Sequence, residues 1–171
     1  MASIIENLIS TLEEECKLYE ELTRESMAKT PVIVANDLDK LQVANAKEQS
    51  LVDQITSVSH RRNQVLTDIA TVLGRDAKTI TVSEVIKLME KQPEFQHPLI
   101  VLRDQLVKQV GILKGISEHN QELLKEALEM TEYSINLIQS LNQAPETANY
   151  SRASYSGATL GGNYSSFDAK Q

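Results

Sequence analysis

At 171 residues, 41% hydrophobic and 24% charged, the chain suffices for one domain with a sizeable core, and its net charge of −7 opposes a phosphate backbone. No Lys/Arg-dense face interleaved with aromatics occurs, no apolar run nears the roughly 20 residues that span a bilayer, and the amino terminus turns acidic at once. Nucleic-acid binding and direct membrane insertion are therefore not expected, and a cytoplasmic location is.

Tryptophan is absent and aromatics are 4%, so the apolar content is almost wholly Leu, Ile, Val and Ala, which predicts an all-α fold. From Ile5 the apolar residues Leu8, Leu12, Cys16, Tyr19 and Leu22 follow three-and-four spacing, predicting a first helix over about residues 3–29. Thr30-Pro31 is expected to break it, with "VIVA" as a further turn. Asn36 and Asp37 are candidate N-caps for a second helix over about 37–73, carrying Leu38, Leu41, Leu51, Ile55, Val58, Val65, Ile69 and Leu73 and stopped by Gly74. Its middle, "NAKEQS", is either exposed or packed through alanine. "TVSEVIKLME" predicts a short helix capped by Thr81 or Ser83, and "KQPEFQHP" a two-proline connection.

A third long helix is predicted after Pro98. Leu99, Leu102, Leu106, Gln109, Leu113, Ile116, Asn120, Leu123, Ala127, Met130, Ser134, Leu137 and Leu141 alternate by three and four as a heptad seam. Three long helices with short connections predict an elongated antiparallel three-helix bundle with coiled-coil packing and one short extra helix, over residues 1–141. Residues 142–171, rich in Ser, Gly and Asn, predict a flexible tail, with Tyr150, Tyr155, Leu160, Tyr164 and Phe167 spaced along it.

Little points to catalysis. His60, His97 and His119 are scattered, and no Ser/His/Asp or Cys/His pairing emerges. "EFQH" has the Glu-x-x-His spacing of di-iron bundles, but the second copy is missing and Pro98 follows. No metal, cofactor or enzymatic activity is expected. Cys16 reads as a small buried hydrophobe, and "HRR" at His60–Arg62 as a solvated or snorkelling patch.

Two features of the third helix point to binding. Asn120 is a polar residue in an apolar seam, which sets register or oligomer state, or faces a partner. Beside the seam, Leu124, Leu128, Thr131, Ile135 and Ile138 form a second series, more than a bundle edge needs. Its cover is helices one and two, an amphipathic partner helix, a second copy, or the tail folded weakly over Leu124, Leu128, Ile135 and Ile138.

The stretches "LISTLEEECKLYEELTRES", "NDLDKLQVANAKEQSLVDQI", "RRNQVLTDIATVLG", "TVSEVIKLM" and "NQELLKEAL", in this order over about residues 3–141, resemble the FlgN family of flagellar type III export chaperones. The resemblance implies a non-enzymatic chaperone that holds the carboxy-terminal amphipathic helices of hook-associated, or hook-filament junction, proteins, prevents premature assembly and delivers them to the flagellar export gate. It places Asn120, Leu123, Leu124 and Leu128 in the client-binding helix, and Tyr133 or Tyr150 as the tyrosine that docks on the gate. The alternative is a structural coiled-coil protein that self-associates through the same stripe and has no client.

Overall fold

The computed structural model describes residues 2–76 and 79–143, and all regular structure among them is helical. The elements are α1 (Ala2–Val34), α2 (Leu38–Val72), α3 (Val82–Leu88) and α4 (Pro93–Gln143). The chain divides into two units, Met1–Glu132 and Tyr133–Gln171. The first contains the core; the described part of the second is the end of α4, residues 133–143. The tail aromatics Tyr150, Tyr155, Leu160, Tyr164 and Phe167 lie outside the described residues.

Two prolines do less than the sequence led us to expect. Pro31 lies inside α1, which runs on to Val34, with the Ala35 N–H donating to the Pro31 carbonyl at 3.0 Å. A proline near a helix end removes one backbone bond while its fixed φ is already helical, and burial of Ile33 holds the last turn in place. Likewise α4 starts at Pro93, not after Pro98. Pro93 takes the first helical position, where a missing N–H costs nothing, and the Gln92 carbonyl accepts from the Gln96 N–H at 3.0 Å.

The turns use chemistry visible in the sequence. Asn36 adopts φ 52°, and the Asn36 and Asp37 N–H groups bond back to the Ile33 and Val32 carbonyls at 3.0 and 3.2 Å. Asp37 then caps α2 at once, its carboxylate accepting from the Lys40 N–H at 3.1 Å. At the far end Gly74, with φ 62°, repeats the closure: Arg75 N–H to the Ala70 carbonyl at 2.8 Å. Thr81 and Glu84 form a capping box on α3.

All four helices meet in one cluster: Ile5, Leu8, Leu12 and Cys16 from α1, Val65, Leu66 and Ile69 from α2, Val85 and Ile86 from α3, and Leu99 and Leu102 from α4. The Cys16 thiol donates to the Leu102 carbonyl at 3.7 Å. A smaller cluster joins Leu22 of α1 to Leu51 and Ile55 of α2, with Tyr19 and Leu113 against it. Ion pairs fix α1 and α2 antiparallel, since Glu15 meets Arg62 whereas Lys29 meets Glu48.

The His60–Arg62 patch is only partly the solvated surface expected of it. His60 is exposed and Arg61 pairs with exposed Glu14, but Arg62 reaches inward. Its Nη1 donates to both oxygens of Glu15 at 2.6 and 2.7 Å, and the Ser59 hydroxyl donates to the same carboxylate at 3.0 Å. Glu15 is 1% exposed. A carboxylate this buried depends on its donors, so Arg62→Ala is expected to destabilise the fold by roughly 3 kcal/mol, read by urea denaturation. Replacing Glu15 and Arg62 together by leucine should recover most of that loss. A single-variant loss under about 1 kcal/mol would contradict the account.

Burial pushes the Cys16 thiol up to about 11, with the Glu20, Glu15 and Glu13 carboxylates adding to the effect. Burial also raises Tyr19 above its ordinary value. A folded pKa above the unfolded one contributes stability that is complete below the unfolded value and lost as pH rises through the folded value. The denaturation midpoint should therefore fall as pH climbs from 9 towards 11, and fall less in Cys16→Ala. At pH 8 iodoacetamide should modify Cys16 only after unfolding.

Candidate partner-binding surface

The surface begins where the buried side of α4 changes character. Leu99 and Leu102 are buried, Leu106, Gln109, Leu113 and Ile116 half-buried, Asn120 buried, and Leu123 and Ala127 half-buried. From Met130 the next seam residue is exposed. Through Ala127, then, the three-and-four series is the side that α4 turns to the core.

Asn120, 3% exposed, spends its amide internally. Its Nδ2 donates to the Ser26 carbonyl at 2.8 Å, and its Oδ1 accepts from the Thr30 hydroxyl at 2.7 Å. The Ser26 hydroxyl in turn donates to Glu48 of α2 at 2.6 Å; the Lys29 ammonium pairs with the same carboxylate and also donates to Asn45 Oδ1 at 3.3 Å. One polar layer thus crosses α4, α1 and α2. It also resolves the middle of α2: Asn45, Ala46, Lys47, Gln49 and Ser50 are exposed, as one of the two expectations had it, and half-buried Glu48 alone of the stretch turns inward.

Beside this layer is a cleft of about 390 Å³ between the three helices, with Leu22, Val52, Leu113 and Leu124 as apolar walls and Ser26, Glu48 and Asn120 among its polar lining. Leu124 is half-buried and also borders a second hollow with Glu118, Gln121, Glu122, Lys125 and Leu128. Leu128 is 64% exposed. Thr131 is exposed, its hydroxyl bonded back to the Ala127 carbonyl at 2.8 Å, so its methyl belongs to the same outer surface.

Of the sequence-derived candidates, the first unit brings together Asn120, Leu123, Leu124, Leu128 and Thr131, with Asn120 and Leu123 on the inner side and Leu128 on the outer. In the second unit Tyr133, Ile135 and Ile138 are all exposed. Tyr150 lies outside the described residues. Sequence reasoning missed the lining from other helices, Leu22 and Val52, and the flank of Glu118, Gln121 and Glu122. The three-and-four spacing that found the stripe ranks positions within one helix and carries no information about its neighbours.

Truncating Asn120 to alanine removes the acceptor for Thr30 and the donor to Ser26 inside a buried layer. The expected loss is about 1–3 kcal/mol, measured as a lower denaturation midpoint with unchanged helical circular dichroism. An unchanged midpoint would mean that the layer contributes nothing to stability.

Among the described residues no helix is long and apolar enough to cross a membrane. No curated protein and no solved structure gives a match. The model of the FlgN protein family matches residues 1–155, which takes in every described residue and the whole candidate surface. The chain therefore belongs to the FlgN family of flagellar export chaperones.

Proposed function

We propose that this protein holds the carboxy-terminal amphipathic helices of hook-associated proteins, keeps them from assembling early, and delivers them to the flagellar export gate. The observation that carries the reading is Leu128: a large aliphatic side chain left 64% exposed on a regular helix, next to half-buried Leu124 and the three-helix cleft. An amphipathic helix laid there would bury its apolar face on this stripe and complete the side that the bundle leaves bare. Leu123, Leu124, Leu128 and Thr131 are its contact residues, and Asn120 serves it from beneath by fixing how α4 sits on α1. The spacing of the series extends it to Ile135 and Ile138. Tyr133, exposed, or Tyr150 meets the export gate.

In this reading α1, α2 and α4 form an antiparallel three-helix bundle with coiled-coil packing. Residues 1–141 are the chaperone domain and 142–171 a separate tail, and the protein acts in the cytoplasm without cofactor or catalysis. A holding role needs a surface and no reacting groups, which suits a fold whose buried polar side chains, among the described residues, are all engaged in internal hydrogen bonds.

The test is capture of synthetic carboxy-terminal helices of hook-associated proteins by the full chain, with its oligomeric state followed by light scattering. Leu128→Ser should weaken capture on the order of tenfold or more, the loss expected from exposing one leucine side chain. Because the residue faces solvent, its stability should stay within about 0.5 kcal/mol of the parent. Unchanged capture would overturn the assignment of the stripe. Stable self-association with no capture would favour a purely structural protein.

A further inference from the structure

The solvent side of the Leu124–Leu128 hollow is predominantly acidic, with Glu118 and Glu122 against Lys125. Between Glu118 and Glu132 the helix carries Glu118, Glu122, Glu126, Glu129 and Glu132 against Lys125 as the only Lys or Arg. Lys114 and Lys125 offset Glu118 and Glu129 across i,i+4 contacts of 3.8 and 3.9 Å. Glu122, Glu126 and Glu132 have no cationic partner among the described residues, and Glu122 lines the hollow directly with Leu124 and Leu128. Nothing in the fold explains this bias, since none of these carboxylates caps a helix or enters the core.

We infer that the helix seated on Leu124 and Leu128 is a basic amphipathic one, with lysine or arginine on the flank that comes to lie along Glu118, Glu122 and Glu132. The inference rests on the partner-binding reading of this surface and adds the charge of its occupant. An apolar face flanked by glutamates attracts a helix flanked by cations and repels one flanked by carboxylates. The same field opposes a second copy of this chain. Stripe-to-stripe pairing would set glutamates against glutamates in a protein whose net charge is already −7. Apolar contact supplies the affinity, and the acidic flank supplies selection and orientation.

The probes are two 18-residue helical peptides with the same leucine stripe, one flanked by lysines and one by glutamates. Binding to the full chain is measured by fluorescence anisotropy at low and high salt. The lysine peptide should bind on the order of tenfold more tightly at low salt, the sum expected of a few exposed ion pairs, and most of that advantage should vanish at high salt. In the Glu122→Lys/Glu132→Lys variant the preference should disappear or invert, while helical content and denaturation midpoint stay as in the parent. Equal binding of the two peptides, or a preference that the double variant leaves intact, overturns the inference. Leu128→Ser separates the two readings. If it weakens both peptides while charge has no effect, the surface stands and the basic partner falls. If neither peptide binds the parent protein, both fall.

Discussion

The relative register of the three long helices depends on polar residues placed where their seams would otherwise be apolar. Glu15 and Ser26 occupy such places on α1, Glu48 and Arg62 on α2, and Asn120 on α4, and each meets one of the others. Sliding α2 along α1 by one turn, about 5.4 Å, would part Glu15 from Arg62 and Glu48 from Ser26 and Lys29 together. Aliphatic contacts alone would resist that slip weakly, because leucine against leucine is nearly as good one turn away. A misplaced buried carboxylate, here Glu15, is a far larger penalty. The core clusters supply cohesion, and the polar layers select a single arrangement from those that cohesion permits.

That arrangement determines what remains uncovered. Asn120 holds α4 to α1 at Ser26 and Thr30, which turns Leu124 to the edge of the cleft beside α2 and Leu128 out of it. The core-facing residues and the exposed apolar residues of α4 thus lie on two faces of one helix. Leu124 borders both, half-buried beside the cleft, so a change there disturbs the packing of the inner side, whereas Leu128 faces solvent and can be changed without touching it.

Much of the fold was legible because helical periodicity is a local property. The helix order, the cap at Asp37, the stop at Gly74 and the short capped helix all follow from nearest-neighbour chemistry. The prolines misled because their cost depends on position: Pro31 falls in the last turn of α1, and Pro93 rather than Pro98 opens α4. The buried ion pair was hidden for a different reason. Glu15 lies three residues after Leu12 and four before Tyr19, so it fits the seam spacing as well as Cys16 does, but a search for apolar residues passes over it. Arg62 fits the α2 series in the same way, four after Val58 and three before Val65. A reading that follows spacing first and residue type second would have exposed both. The acidic flank of the stripe was visible as composition, yet only the hollow beside Leu124 and Leu128 gives it a direction.

The long helices also differ in how far apart in the chain their contacts lie. α1 and α2 are joined by three residues, Ala35–Asp37, and close on each other as a hairpin. The contacts of α4 with α1 span 86 positions at Cys16–Leu102 and 94 at Asn120–Ser26. Closing loops of that length costs more chain entropy and cannot happen until the distant segment has been made. During synthesis the hairpin is complete before α4 exists, and at about 5–20 residues per second the face around Cys16 and Ser26 waits several seconds for its cover. For that interval the nascent chain exposes an apolar groove that its own last long helix has yet to cover.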